Sequence, residues 1–480
     1  MKNTKLVALL KKLSTRERSK LRELVFSPFF NKNEKIQRLC AWLLPFAPAF
    51  DSDQLEKTIA FPRVFGETTS YDELAMNNAI SDLLHLAYDF LAWQQYRLRP
   101  QLRQDLLLTE LLEREMLEQV DRNVARFQQL QQKTRLRNAD YYYADYQYYD
   151  KQDRYALGQT RRYDESLQKK SDALDTFYVI DKLRMACDMV SRNTVVNAGY
   201  ECHFLDEILG YCRENRLQLS SIPAVQVYLH TLQLLQEHQE EPYRQWKDML
   251  DAAAHLFPAD ELRTLYNYGL NYCVKKINSG QTAFYRDILD LYRVLLTQKI
   301  IFKNGYLTQW SFINIATAGI RLKEFDWTAS FIENFQHDLW PEDRHNVYHF
   351  CLASLYFEKK EFQRALQMLQ AVAFNDAYYH LSAKIIQLKS YFELQETEPF
   401  FSLLEATRLY LSRNLQLSDY QKNSNVNFFK LAAKLYQLNL QAPRLTAAAK
   451  ENRRQEIALL IDRTSPLANK DWLVQRLERL

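Results

Sequence analysis

His345 and His349 lie four residues apart in HNVYH, a spacing that sets two imidazoles on one face of a helix. In a zinc protease the spacing comes as HExxH, with the glutamate as base; here Asn346 holds that place. No cysteine pair at ligand spacing stands nearby, so the two histidines read as polar residues on an exposed helix face. Cys202 and His203 are adjacent, point to different faces of a helix and do not read as a dyad. Asp51 and Asp53 form a DxD in FDSDQLEK, just before a helix, where acids serve a first turn and its cap. No two glycines are closer than 11 residues, which excludes GxGxxG, the Walker loop and GxSxG. The expectation is a protein that is not an enzyme, with no catalytic, cofactor-binding or metal-ligating residue and no cofactor.

A second candidate for chemistry is ADYYYADYQYYDKQDRY, residues 139–155, with six tyrosines between positions 141 and 149. Stacking on single-stranded nucleic acid needs interleaved cations and an open groove. Asp140, Asp145, Asp150 and Asp153 interleave instead, and acids repel phosphate. On a helix Tyr142, Tyr146 and Tyr149 share one face and Tyr141 and Tyr148 an adjacent one, so the stretch reads as core, with the first three largely buried.

The elements that must position these residues follow from composition. The chain has 480 residues but only 8 glycines and 12 prolines, too few for the turns of a β-rich fold. Leu, Gln, Glu, Arg, Lys and Ala abound, all good helix formers. The fold class is therefore all-α. Ser14 and Glu17 form a capping-box pattern for a helix over 15–26, and Asn33 can cap the next. A long helix is expected over 71–97. Beyond it, segments of mostly 12–20 residues alternate in pairs, among them 103–133, 306–322, 343–358 and 377–394.

The organisation expected is an N-terminal helical module over 1–100, an array of helical hairpins over 101–440 and C-terminal capping helices over 441–480. Residues 1–38 hold eleven Lys and Arg against three Glu, although the whole chain carries only +4. A helix-turn-helix reading of the module would use the 71–97 helix for base contacts. That helix offers Asn77 and Asn78 among Asp72, Glu73, Asp82 and Asp89, which argues against nucleic acid. The six cysteines show no CxxC and read as free thiols of a reducing compartment. An apolar run of five before Lys11 and Lys12 is short for a signal peptide, and no stretch approaches the ~20 apolar residues of a membrane span. A cytoplasmic location without membrane attachment is expected.

The segment VYHFCLASLYFEKKEFQRALQMLQAV carries Leu352, Ala353 and Tyr356, a polar turn, then Phe362, Ala365 and Leu369. It resembles a tetratricopeptide repeat (TPR), in which a large–small pair and an aromatic on one helix meet an alanine and a large residue on the next. Ala316, Ile320, Phe325, Ala329 and Ile332 upstream, and Leu388, Tyr391, Phe401 and Leu404 downstream, stand in comparable roles. Ala329 to Ala365 is 36 residues and Tyr356 to Tyr391 is 35, against a repeat of about 34. The resemblance covers 306–413; the family's glycine and closing proline are absent there. As a whole the chain also resembles uncharacterised helical bacterial proteins, which adds nothing about activity.

The resemblance implies an α-solenoid of TPR-like hairpins that binds another protein or a peptide on its concave face, lined by the first helix of each hairpin. Positions one turn from the packing residues are then Asn314, Arg321, Ser354, Phe357 and Lys389, expected to bind the partner. Arg321 and Lys389 would supply charged donors, Asn314 and Ser354 neutral ones and Phe357 an apolar anchor. The lysine and asparagine set with which the family clamps acidic chaperone tails is not reproduced. Alternatively Arg321 pairs with Glu358 or Glu393 and only staples the repeats. The function expected is a non-enzymatic scaffold; the alternative is a regulator with a nucleic-acid-binding N-terminal module and a partner-sensing solenoid.

Overall fold

The computed structural model describes residues 1–159, 163–196, 199–237, 239–373, 376–414 and 417–480. Its regular elements are twenty-four α-helices and five short 3-10 turns, so the chain is all-helical among the described residues. None of these helices is long and apolar enough to cross a membrane. Residues group into two compact units, Met1–Met185 with His203–Gln226, and Ala186–Cys202 with Val227–Leu480.

In the first unit, residues 1–91 share a core of their own, including Leu21, Leu39, Phe61, Met76 and Leu83. The expected caps are formed. Ser14 accepts from the Glu17 amide at 3.2 Å and the Glu17 carboxylate accepts from the Ser14 amide at 2.8 Å. Asn33 accepts from the Lys35 amide at 3.0 Å. A first helix, Lys5–Lys12, precedes those foreseen, capped by Thr4. The stretch 103–133 is two helices, Pro100–Glu113 and Leu117–Lys133, because Glu115 turns left-handed between them at φ 56°.

The tyrosine helix, Ala139–Gln159, packs on both of these. Its buried tyrosine is Tyr148, 5% exposed and edge-on to Phe127 at 5.6 Å. Tyr142, Tyr146 and Tyr149, expected to be largely buried, are each of intermediate burial, and Tyr143 is exposed. The packed seam runs through Ala144, Tyr148 and Lys151 instead, at i, i+4, i+7. A small and a charged residue mark it, which hydrophobicity does not reveal. Lys151 is buried because Asp105 and Asp150 meet its ammonium at 2.9 and 3.4 Å. Asp150 also takes Lys170 at 2.8 Å and Arg154 at 3.1 Å. Two of the interleaved acids, Asp150 and Asp153, are thus paired with this unit's own lysines.

In the second unit, helices pack on their neighbours in the chain. Gln309–Arg321 meets Phe325–Phe335, Pro341–Glu358 meets Phe362–Gln370, and Ala377–Leu394 meets Thr397–Arg413. The first helices of these pairs also pack on one another in succession. Gly319 permits the close approach in the first pair, since a Cβ there would lie 2.2 Å from Thr328 Oγ1. Asp419–Gln441, Ala447–Arg463 and Lys470–Glu478 continue the unit. Their Phe428, Ile461 and Trp472 share a core with Leu388, Phe392 and Phe400.

The turns inside the three pairs are alike. Lys323, Lys360 and Gln395 each take the left-handed conformation, at φ 60°, 64° and 58°. The next amide bonds the carbonyl five residues back: Glu324 to Gly319 at 2.9 Å, Glu361 to Tyr356 at 2.8 Å and Glu396 to Tyr391 at 3.0 Å. Glu115 and Lys299 repeat the arrangement at φ 56°. These are helix C-caps where glycine is the usual residue. The scarce glycines are thus replaced, at a backbone cost of about 1–2 kcal/mol per site.

Candidate functional site

The face of the second unit formed by its successive first helices holds a cavity of about 440 Å³. Asn314 and Arg321 reach it from Gln309–Arg321, Ser354, Phe357 and Glu358 from Pro341–Glu358, and Lys389 from Ala377–Leu394. All five residues singled out in the sequence therefore line one space. The helical period explains this: Leu352, Ala353 and Leu355 are buried between helices, and Ser354 and Phe357 stand a turn apart beside them.

The side chains differ in what they offer. Asn314 donates a long bond to the Tyr292 hydroxyl at 3.5 Å. Ser354, expected as a donor, gives its proton to the Phe350 carbonyl at 2.9 Å and presents an acceptor to the cavity instead. Phe357 packs edge-on to Phe362 at 5.6 Å and remains half-buried. Arg321 stands 3.9 Å from Glu358, and both side chains are well exposed, so the ion pair is weak. Glu393 is held by Arg476 and does not pair with Arg321.

Lys389 is the most constrained group. Its ammonium nitrogen donates to the Asn469 side-chain oxygen at 2.6 Å and lies 5.8 and 5.5 Å from the ring centres of Phe428 and Trp472. Burial lowers its pKa to about 7, and Arg321 and Arg476 push the same way against Glu358. The Phe428 and Trp472 rings act the other way, favouring the cation.

The wall opposite the first helices was not legible in the sequence. It consists of Leu417, Gln421, Asn425, Ala468 and Asn469, from the segment read there as array end and cap. The one available signal was Asn469, which takes φ 52° ahead of Lys470–Glu478, a conformation asparagine tolerates.

The other candidates lie apart. His345 Nε2 contacts the Ala371 carbonyl at 3.0 Å, and His349 Nδ1 the His345 carbonyl at 2.7 Å. No group of three His, Cys, Asp or Glu suited to a metal occurs among the described residues. Burial raises the thiols of Cys40 and Cys273 to about 12, and raises Cys187, Cys212 and Cys351 as well, which makes them poor nucleophiles. Asp51 and Asp53 pair with Lys2, at 3.3 and 2.9 Å, while Ser52 caps the turn Asp53–Leu55. Asn77 and Asn78 are exposed on the Glu73–Leu98 helix, with Glu73, Asp82 and Asp89 exposed on it too. Of the basic N-terminal residues, Arg18 is occupied, its guanidinium donating to the Leu10 and Leu13 carbonyls.

Comparison with family models, curated proteins and solved structures finds no match to this chain.

Proposed function

We propose that the protein is a non-enzymatic scaffold whose second unit is a TPR-like solenoid holding a peptide or protein segment in the groove between its first helices. The observation that carries this is the convergence of Asn314, Arg321, Ser354, Phe357 and Lys389, from three successive hairpins, on one cavity. Three further features support it. The hairpins share one turn geometry, their first helices pack in succession, and their spacing is close to that of the repeat. A pocket with one half-buried aromatic anchor and a few directional polar groups suits a side chain and backbone of an extended or helical peptide. The presence of both Arg321 and Glu358 favours a ligand that is amphipathic over one that is uniformly acidic.

The test is selection of peptides from a displayed library on the full chain, followed by affinities for variants. Phe357→Ala and Arg321→Ala are expected to weaken the selected peptide roughly tenfold or more. Gln367→Ala, exposed on the second helix of the same hairpin, is expected to leave affinity unchanged. Equal loss in all three, or selection of no peptide, would remove the groove reading.

A further inference from the structure

Lys389 differs from the other polar groups of the cavity in its surroundings. It lines the cavity, yet among the described residues its nitrogen forms no ion pair with a carboxylate. Its hydrogen-bond acceptor there is a neutral amide oxygen, that of Asn469. The charged groups that act on it are mainly cations: Arg321 from Gln309–Arg321 and Arg476 from Lys470–Glu478. Glu358 at the end of Pro341–Glu358 opposes them, and Glu393 on its own helix is taken by Arg476. An amine that donates one hydrogen to Asn469 keeps its lone pair free for the cavity. Arg321, at the same cavity, is 56% exposed and has only a weak partner.

We propose that the Lys389 amine is a nucleophile, and that the cavity takes small aldehydes or ketones bearing a carboxylate as a reversible imine, with Arg321 anchoring the carboxylate. The amine lone pair attacks the carbonyl carbon, a C–N bond forms as the C=O π bond breaks, and a proton passes from nitrogen to the oxygen. The C–O bond of the carbinolamine then breaks, the oxygen leaves as water with the second nitrogen proton, and the C=N bond forms, so the step needs no oxidant or reductant. Glu358 supplies a countercharge at the cavity for the iminium, and the cavity has room for a ligand of a few heavy atoms. Lowering of the amine pKa to about 7 gives roughly a thousand-fold more neutral amine at pH 7 than an ordinary lysine holds. The proposal stands on the cavity itself and does not require that a peptide bind there.

The experiment treats the full chain at pH 7 with glyoxylate and cyanoborohydride, which reduces an imine to a carboxymethyl amine, and maps the modified lysines by mass spectrometry. Lys389 is expected to react at least about tenfold faster than the exposed Lys11 and Lys303, with a half-maximal rate near pH 7. Rates at Lys389 equal to those two, or a rate that climbs through pH 9 as ordinary lysines do, would overturn the assignment. Formaldehyde, which has no carboxylate, separates the two roles. Arg321→Ala is expected to lower the glyoxylate-to-formaldehyde rate ratio at Lys389 about fivefold or more. An unchanged ratio would sink the anchoring role. Because the Arg321 side chain is largely solvent-exposed, a folded variant is expected, and circular dichroism checks it.

Discussion

Replacing Lys389 by methionine should remove a pH dependence of stability whose sign and size follow from the site. An unfolded lysine holds its proton until about pH 10.4. In the folded chain the amine has lost it above about pH 7. Between these values the unfolded chain binds one more proton than the folded chain, so raising the pH favours folding. The slope is about 1.4 kcal/mol per pH unit inside the window, or about 2 kcal/mol between pH 7.5 and 9. Partial exposure of the side chain makes this an upper value. Methionine keeps the length of the stem between Phe428 and Trp472 and has no proton to lose. The stability of Lys389→Met relative to the parent should therefore fall by up to about 2 kcal/mol across that interval. Urea unfolding followed by tryptophan fluorescence measures it, since Trp246, Trp310, Trp327, Trp340 and Trp472 all belong to the second unit. Taking the difference between two chains cancels the other titrating groups. Parallel curves for the two proteins would show that Lys389 keeps an ordinary pKa, and the argument for its nucleophilicity would fall with it.

Two further outcomes test the architecture. Tyr148→Ala removes a ring buried against Phe127 and should cost about 3–5 kcal/mol, visible as a lower melting temperature of the first unit; an unchanged melt would return the tyrosine run to the surface. Lys360→Gly relieves a left-handed non-glycine cap on an exposed side chain and should stabilise the chain by about 0.5–1 kcal/mol in urea unfolding, whereas a loss of stability would mean that the lysine side chain contributes more than its backbone strain costs.

What the sequence reveals and what it hides divide along a physical line. Helix starts are chemical: Ser14 with Glu17, and Asn33, bond amides a few residues away, so the pattern is local and readable. The C-caps are equally local, but Lys323, Lys360 and Gln395 carry no glycine signature, and only the backbone discloses that the three turns are one motif. The residues lining the cavity were legible because the helical period puts Leu352 and Ala353 in the packing and leaves Ser354 and Phe357 a defined angle away. Their partners were not. Asn469 lies 80 residues from Lys389 and Arg476 lies 83 from Glu393, and no periodicity links positions so far apart. The tyrosine helix fails for a related reason. Its seam passes through Lys151, whose burial depends on Asp105 from another helix, so the amphipathic signal does not single out Tyr148 as the deepest tyrosine. In both cases a lysine that looks like surface is drawn inward by a group remote in sequence. At Lys151 carboxylates supply the countercharge and the ammonium is fixed in place. At Lys389 an amide replaces the carboxylate and the neighbouring guanidiniums repel. Burial without a carboxylate partner thus makes Lys389 a candidate amine nucleophile, while the same side chain at Lys151 is an ion-pair anchor.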